Sequence, residues 1–256
     1  MDKKKITKLF NNIFVEINTN HDEAVSVYER YLQQGSNPKV LVNFDSHSDL
    51  STNYKIKEKT IANWVNFCIK QFDIDEFYWV VPEHIIQNEQ EFLKDKNNIP
   101  NTNFFCFKNM KLNPLENNSG YIYYSKKTNE LRHQENVEHI NKKCEKYGLK
   151  PIINEDDNKK IKVTILTENK LEELKGKEIL LSVDADYFCN TGHDTTSKIN
   201  NNNITKEELL NKFDSFINAL YENDIQIKCC SLTYSPIYFP NRFKKEIEEF
   251  YKEIKG

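Results

Sequence analysis

The sequence predicts an α/β fold, a three-layer αβα sandwich around a mostly parallel sheet, and three observations predict it. Short apolar runs alternate along the chain with amphipathic stretches of helical period. Two of the runs, Val40-Leu-Val-Asn-Phe44 and Ile179-Leu-Leu-Ser-Val183, are apolar almost throughout, the pattern of a strand buried on both faces. An acidic motif follows each of them, where an open α/β sheet holds its ligands, just past the carboxyl ends of its strands.

The first strand is expected over Ile13–Ile17, with a helix over Asp22–Gln34 in which Ala24, Val25, Tyr28, Tyr31 and Leu32 share a face. Strands over Val40–Phe44, Glu76–Val81 and Asn103–Phe107 come next, then Lys160–Leu166, Glu178–Val183 and Gln226–Leu232. Leu209, Leu210, Phe213, Phe216, Ile217 and Leu220 recur at helical spacing. Thr205 with Glu208 three residues on makes a capping box that opens that helix. The stretches Pro114–Lys127 and Asn154–Lys160 read as loops inside one domain spanning residues 1–256, and no internal repeat is present.

Composition narrows the function classes. A chain of 256 residues sits near the upper size for one continuous core, and 16 Phe and 13 Tyr supply bulk for it. The net charge of −3 offers no electrostatic reason to expect nucleic acid as the partner. No stretch approaches the ~20 apolar residues of a membrane span, and the basic start MDKKKITKLF lacks the apolar segment of a signal peptide. The six cysteines form no CxxC pair and mostly sit in apolar segments, as buried reduced thiols do. A cytoplasmic, disulfide-free protein with no membrane partner is the expectation.

The chemistry lies in the two motifs. Asp45-Ser-His47-Ser-Asp49 delivers three side chains of alternating type just after a buried strand, and alternate residues of extended backbone project the same way. Asp184-Ala-Asp186 ends a second such strand. An Asp-x-Asp by itself is a common solvated turn, but five carboxylate or imidazole groups at two strand ends repel one another unless a cation sits among them. Oxygen ligands mixed with imidazole suit manganese, iron or zinc better than calcium. His21 follows the first strand, and its local context alone marks it only as an exposed residue at a helix start.

With these residues assembled, the chain resembles the arginase/deacetylase superfamily, whose members carry Asp-x-His-x-Asp after one strand and Asp-x-Asp after a later one. More narrowly, it is similar to an arginase-related group that includes the peptide arginases of ribosomal-peptide maturation. The resemblance is carried by Val15-Glu-Ile-Asn-Thr-Asn-His21, Asn43-Phe-Asp-Ser-His-Ser-Asp-Leu50, Asn63-Trp64, Trp79-Val-Val-Pro82, Asp184-Ala-Asp-Tyr-Phe188 and Thr233-Tyr-Ser-Pro236, in that order. It implies an arginase/deacetylase-like fold and two Mn2+ ions, although other divalent metals fit the donor types. One ion would take His21, Asp45, Asp49 and Asp184, and the other Asp45, His47, Asp184 and Asp186. It further implies that Asp45, His47, Asp184 and Asp186 hold a metal-activated hydroxide, which converts an arginine side chain of a peptide to ornithine and releases urea. The partner it implies is an arginine-containing peptide or precursor peptide.

The sequence departs from that pattern at two places. Where arginases carry a glutamate that pairs with the guanidinium, counting back from Pro236 reaches Thr233. Where they carry a shuttle histidine, counting on from His47 reaches Asn63. Substitute candidates are Glu83 and His84 after the third strand, and His193 and Asp194 in the polar stretch Asn190–Asn203. His133 and His139, six apart on an expected helix, read as surface residues. The departures leave a second class of function open, a metal-stabilised peptide-binding module whose catalysis has lapsed. A deacetylase-like or other amidine hydrolase is a further alternative.

Overall fold

The computed structural model describes residues 2–51, 58–83, 118–148, 158–189 and 204–256. The helices among them are α1 (Lys3–Phe10), α2 (Ala24–Leu32), α3 (Trp64–Phe72), α4 (Gln134–Lys146), α5 (Lys206–Glu222) and α6 (Lys244–Lys255). The strands are β1 (Phe14–Asn18), β2 (Val40–Phe44), β3 (Glu76–Val80), β4 (Ser119–Ser125), β5 (Glu130–His133), β6 (Asn158–Leu166), β7 (Glu178–Asp184) and β8 (Gln226–Thr233). They form one sheet in the order β1-β8-β7-β2-β3-β6-β4-β5. The six strands from β1 to β6 in that order are parallel, and β4 and β5 add an antiparallel edge.

Helices cover both faces, so the expected α/β class with a mostly parallel sheet is the observed one. On one face α2 and α3 pack Val25, Tyr28, Trp64 and Ile69 against Leu41, Phe77 and Leu180. On the other, α1, α5 and α6 pack Phe10, Phe213, Phe216 and Phe250 against Val42, Phe44 and Leu181. Residues 41 and 42, or 180 and 181, thus serve opposite layers. Both strands are apolar on both faces over most of their length for that reason. The Thr205–Glu208 capping box opens α5, with Thr205 Oγ1 accepting from the Glu208 N–H at 3.2 Å.

Strand order decides where a ligand can sit. From β2 the chain crosses through α3 to β3 on one side; from β7 it crosses through α5 to β8 on the other. Right-handed crossovers in opposite directions put α3 and α5 on opposite faces, and a neighbouring strand pair left in opposite directions is where such a sheet opens a crevice at its carboxyl ends. Asp45 and Asp184 stand at the carboxyl ends of those two neighbouring strands.

Four expectations need correction or placing. Within Pro114–Lys127, expected as a loop, Ser119–Ser125 is a strand. Ile122 and Tyr124 are buried while Tyr121 is exposed, the alternation of a strand covered on one face, and flanking Ser, Gly and Lys residues mask it in the sequence. Similarly β6 already begins at Asn158, and His133 ends β5 instead of lying on a helix. The strand expected over Asn103–Phe107 lies outside the described residues. Cys68, Cys144, Cys189, Cys229 and Cys230 are buried free thiols. No helix of the described residues is long and apolar enough to cross a membrane.

Candidate metal centre

His21, Asp45, Asp49, Asp184 and Asp186 are each at most 9% exposed, and they meet at the β2–β7 crevice. His21 arrives in a short 3-10 turn, His21–Glu23, that follows β1. Its Nδ1 lies 2.8 Å from Asp49 Oδ2 and 3.1 Å from both Asp45 Oδ2 and Asp184 Oδ2. Its Nε2 lies 2.7 Å from Ser182 Oγ. A second set adjoins the first: His47 Nδ1 is 2.9 Å from Asp186 Oδ2 and 3.5 Å from Asp45 Oδ1. Asp45 belongs to both sets.

The donor set fits a cation. With the imidazole proton on Nε2, toward Ser182, the Nδ1 lone pair faces three carboxylate oxygens. With it on Nδ1, one proton faces all three. Neither His21 Nδ1 nor Asp186 Oδ2, both buried, makes an aligned hydrogen bond among the described residues. Four buried carboxylates against two imidazoles leave negative charge that the interior cannot solvate. The 2.8–3.1 Å spacings around His21 Nδ1 also match the edge, about 3.0 Å, of an octahedron with metal–ligand bonds of about 2.1 Å.

The backbone carries these groups by local hydrogen bonding and by strain. Asp45 Oδ1 accepts from the His47 N–H at 2.7 Å, which turns the chain as it leaves β2. Ser46 stitches the two motifs together, its N–H donating to Asp186 Oδ1 at 3.2 Å and its hydroxyl to the Asp186 carbonyl at 2.9 Å. The Asp186 N–H donates to Asp184 Oδ1 at 3.2 Å. Asp49 (φ 50°) and Ser235 (φ 42°) hold left-handed backbone without being glycine, a conformation that persists where surrounding contacts enforce it. The Ser235 hydroxyl donates to Asp184 Oδ2.

Beneath the ligands runs a row of polar side chains that motif reading passes over. Asn43 pairs in register with Ser182 on one side and Trp79 on the other, and Ser182 with Ser231. Asn43 and Ser182 each stand two residues before a candidate ligand, Asp45 and Asp184, and so face the same way as it does. Asn43 Nδ2 donates to Asp45 Oδ2 at 3.0 Å, Ser182 meets His21, and Trp79 Nε1 donates to the Asp45 carbonyl at 2.8 Å. The signal was present as polar residues interrupting otherwise apolar buried strands.

The remaining candidates fall elsewhere. Asn63 closes its own loop: its Oδ1 accepts from the Thr60 N–H at 2.8 Å, and its Nδ2 donates to the Glu58 carbonyl at 3.0 Å. Glu83 accepts from Asn169 Nδ2 at 2.6 Å and lines a cleft of about 600 Å³ with Glu168, Tyr187 and Lys212. His84, His193 and Asp194 lie outside the described residues. Thr233 is fully buried in register with Asp184, and its hydroxyl has no hydrogen-bond partner among the described residues.

No protein-family model and no curated protein matches the chain. Solved structures do align with it. Proclavaminate amidino hydrolase from Streptomyces clavuligerus aligns over 99% of this chain and 69% of its own, at 12% identity and a TM-score of 0.40. Arginase from Medicago truncatula aligns over 93% of this chain and 57% of its own, at 12% identity and a TM-score of 0.43. Helicobacter pylori arginase aligns over 99% and 77%, at 13% identity and a TM-score of 0.38.

Without a cation the centre holds protons. Burial pushes the Asp49 carboxyl up to about 6, and the neighbouring Asp45 carboxylate adds to the push. Burial also raises Asp186, with Asp184 and Asp45 reinforcing it. Burial pulls the His21 imidazole down, but Asp184, Asp45 and Asp49 outweigh that and raise it well above 6.5. Burial pushes Asp45 up, yet both imidazoles hold it below the usual carboxylate range. Folded Asp49 and His21 therefore bind protons more tightly than the unfolded chain does. The stability this confers is lost for Asp49 as pH rises from 3.8 to about 6, and for His21 above 6.5. Chelator-treated protein should melt at a lower temperature at pH ~8 than at pH ~5.5. Manganese-loaded protein should show the reverse, because metal displaces those protons and binds more tightly as pH rises. Thermal melts at both pH values, with and without chelator, check this; parallel pH profiles would remove the metal from the account.

Proposed function

We propose that this chain is a dimanganese-dependent hydrolase of a carbon–nitrogen bond in a linear amidine, converting arginine side chains in a peptide to ornithine and urea. The observation that carries the reading is the buried meeting of His21 Nδ1 with Asp45, Asp49 and Asp184 beside the Asp45–His47–Asp186 set. Four carboxylates over two adjoining sets favour a pair of cations over the single metal with fewer carboxylates of deacetylases. Bound there, two divalent cations supply Lewis acidity and lower the pKa of a water at the site.

The chain's own residues hold and orient the rest. Asp45, shared by both sets, ties the two positions together. His47 is the most exposed of the proposed ligands, at 17% of its side chain, and marks the mouth. The Tyr238 ring lies 4.9 Å from the His47 ring, and Ile237 beside it is 63% exposed. An apolar lip of this kind suits residues flanking an arginine in a peptide. A free amino acid would instead require partners for its two terminal charges, and no motif for those is present.

The test is mass spectrometry of an arginine-containing peptide incubated with manganese-loaded protein. The expected product has lost the guanidine carbon with two of its nitrogens, and urea appears in equal amount. The specificity constant for the peptide should exceed that for free arginine on the order of 10²-fold or more, because a site shaped for one set of polar groups rejects a substrate that leaves them unpaired. A preference for free arginine would return the chain to metabolic arginase chemistry.

Two observations favour a second reading, a metal-stabilised peptide-binding module. Thr233 replaces the guanidinium-pairing glutamate, and the Asn63 side chain is occupied within its own loop. Peptide binding with no urea at any metal loading would establish that reading.

A further inference from the structure

We propose that Trp64 is a positioning residue for one of the two cations, holding Asp49 and His21 together as that cation's half of the centre. The inference rests on the dinuclear reading above. The chain contains two tryptophans, and both indole N–H groups reach the loop that carries the first motif. Trp79 Nε1 donates to the main-chain carbonyl of Asp45 and so braces the loop as a whole. Trp64 Nε1 donates to the Asp49 carboxylate itself, at Oδ2, over 2.6 Å.

The same indole also lies against His21, with ring centroids 4.8 Å apart. Trp64 thus touches the two ligands that only the first cation would use, whereas His47 and Asp186 belong to the other set. An indole is a donor only, and a fully buried one needs its acceptor. A carboxylate oxygen has two lone-pair directions: the indole takes one at Oδ2, and the other is left for the cation beside His21 Nδ1. Asp49 would therefore bind through one oxygen, in an orientation set by Trp64.

The first turn of α3 is built to hold that geometry. Trp64 opens the helix, and two residues on Asn66 accepts from the Ser51 N–H at 3.0 Å and donates back to the Ser51 carbonyl. One helical turn thereby grips both ends of the stretch from Asp49 to Ser51. Left-handed backbone at Asp49 is the conformation this grip enforces.

The test is the Trp64→Phe variant, which keeps a ring and removes the N–H. Manganese titration with elemental analysis should show one cation weakened by about 10- to 100-fold, the usual effect of losing a ligand's hydrogen-bond partner. The second cation should keep its affinity, so occupancy at low free metal falls from two toward one. Equal loss of both cations, or loss of neither, overturns the proposal. Wild-type protein that binds no cation overturns the dinuclear reading along with it.

A second measurement needs no stable Trp64 variant. In wild-type protein labelled at the indole nitrogen, nuclear magnetic resonance shows two indole signals, and Trp79→Phe assigns them. Titration with diamagnetic Zn2+ should shift the Trp64 signal in proportion to the cation bound beside His21. A Trp64 signal unmoved while Zn2+ binds would reduce the residue to core packing and overturn the proposal.

Discussion

Replacing Asp184 with asparagine is expected to empty the metal centre and abolish hydrolysis while leaving the metal-free fold more stable than the wild type. Asp184 Oδ2 lies 3.1 Å from His21 Nδ1, and its other oxygen accepts from the Asp186 N–H that carries the second set. An amide in its place keeps the shape but loses the charge that both cations need. Without metal, however, Asp184 is one of four buried carboxylates that raise the free energy of the folded state. The wild type should gain about 2.7 kcal/mol from manganese at a hundredfold excess over its dissociation constant, about 5–10 °C in melting temperature for a chain of this size. The variant should gain nothing. Melting curves with manganese and with chelator, read beside elemental analysis, check both halves; undiminished metal content in Asp184→Asn would sink the ligand scheme.

The largest effect on stability is expected at Phe188, two residues past the second motif. It is 1% exposed and meets Phe213, Phe216 and Phe250 edge-on at 4.9, 5.6 and 5.6 Å between ring centroids. These rings come from α5 and α6, so the residue ties the end of β7 that carries Asp184 and Asp186 to the helical layer behind it. Phe188→Ala should cost about 3–5 kcal/mol, since the facing rings cannot collapse into the space vacated. In melting temperature that is a fall of about 6–20 °C. Metal affinity should fall with it, because the turn Ala185–Tyr187 that aims Asp186 rests on this contact. A melting temperature within 2 °C of wild type, as for a surface change, would show that the aromatic cluster does not support the site.

Much of this was legible in the residues. Val40–Phe44 and Glu178–Asp184 announce themselves because a strand between two helical layers must be apolar at successive positions, and β2 ends where the apolar run ends. The motifs after them supply the candidate ligands, and the Thr205–Glu208 box names the start of α5, because these signals are local: a few residues suffice to specify them. The antiparallel strands β4 and β5 at the end of the sheet were not legible, since strands covered on one face bury only alternate residues and their polar half resembles a loop.

His21 shows most plainly where local information stops. Nothing around it distinguishes a buried ligand from an exposed histidine at a helix start, and resemblance alone assigned it a role. The structure brings its Nδ1 to three carboxylates because β1 pairs with β8, β8 with β7 and β7 with β2, and that order is set by packing between residues as far apart in sequence as Asn18 and Ser231, 213 positions. The same holds for Trp64 and Ser182, whose partners Asp49 and His21 are brought to them by the packing of strands and helices rather than by spacing along the chain. By itself the sequence determined the six parallel strands, their apolar character and the chemical kinds of the candidate ligands, all of which follow from short-range periodicity and residue type. Only the tertiary structure decided which strands are neighbours, and hence that two distant acidic motifs, one histidine and one indole share a single crevice, because strand order is a long-range outcome of packing that no local pattern encodes.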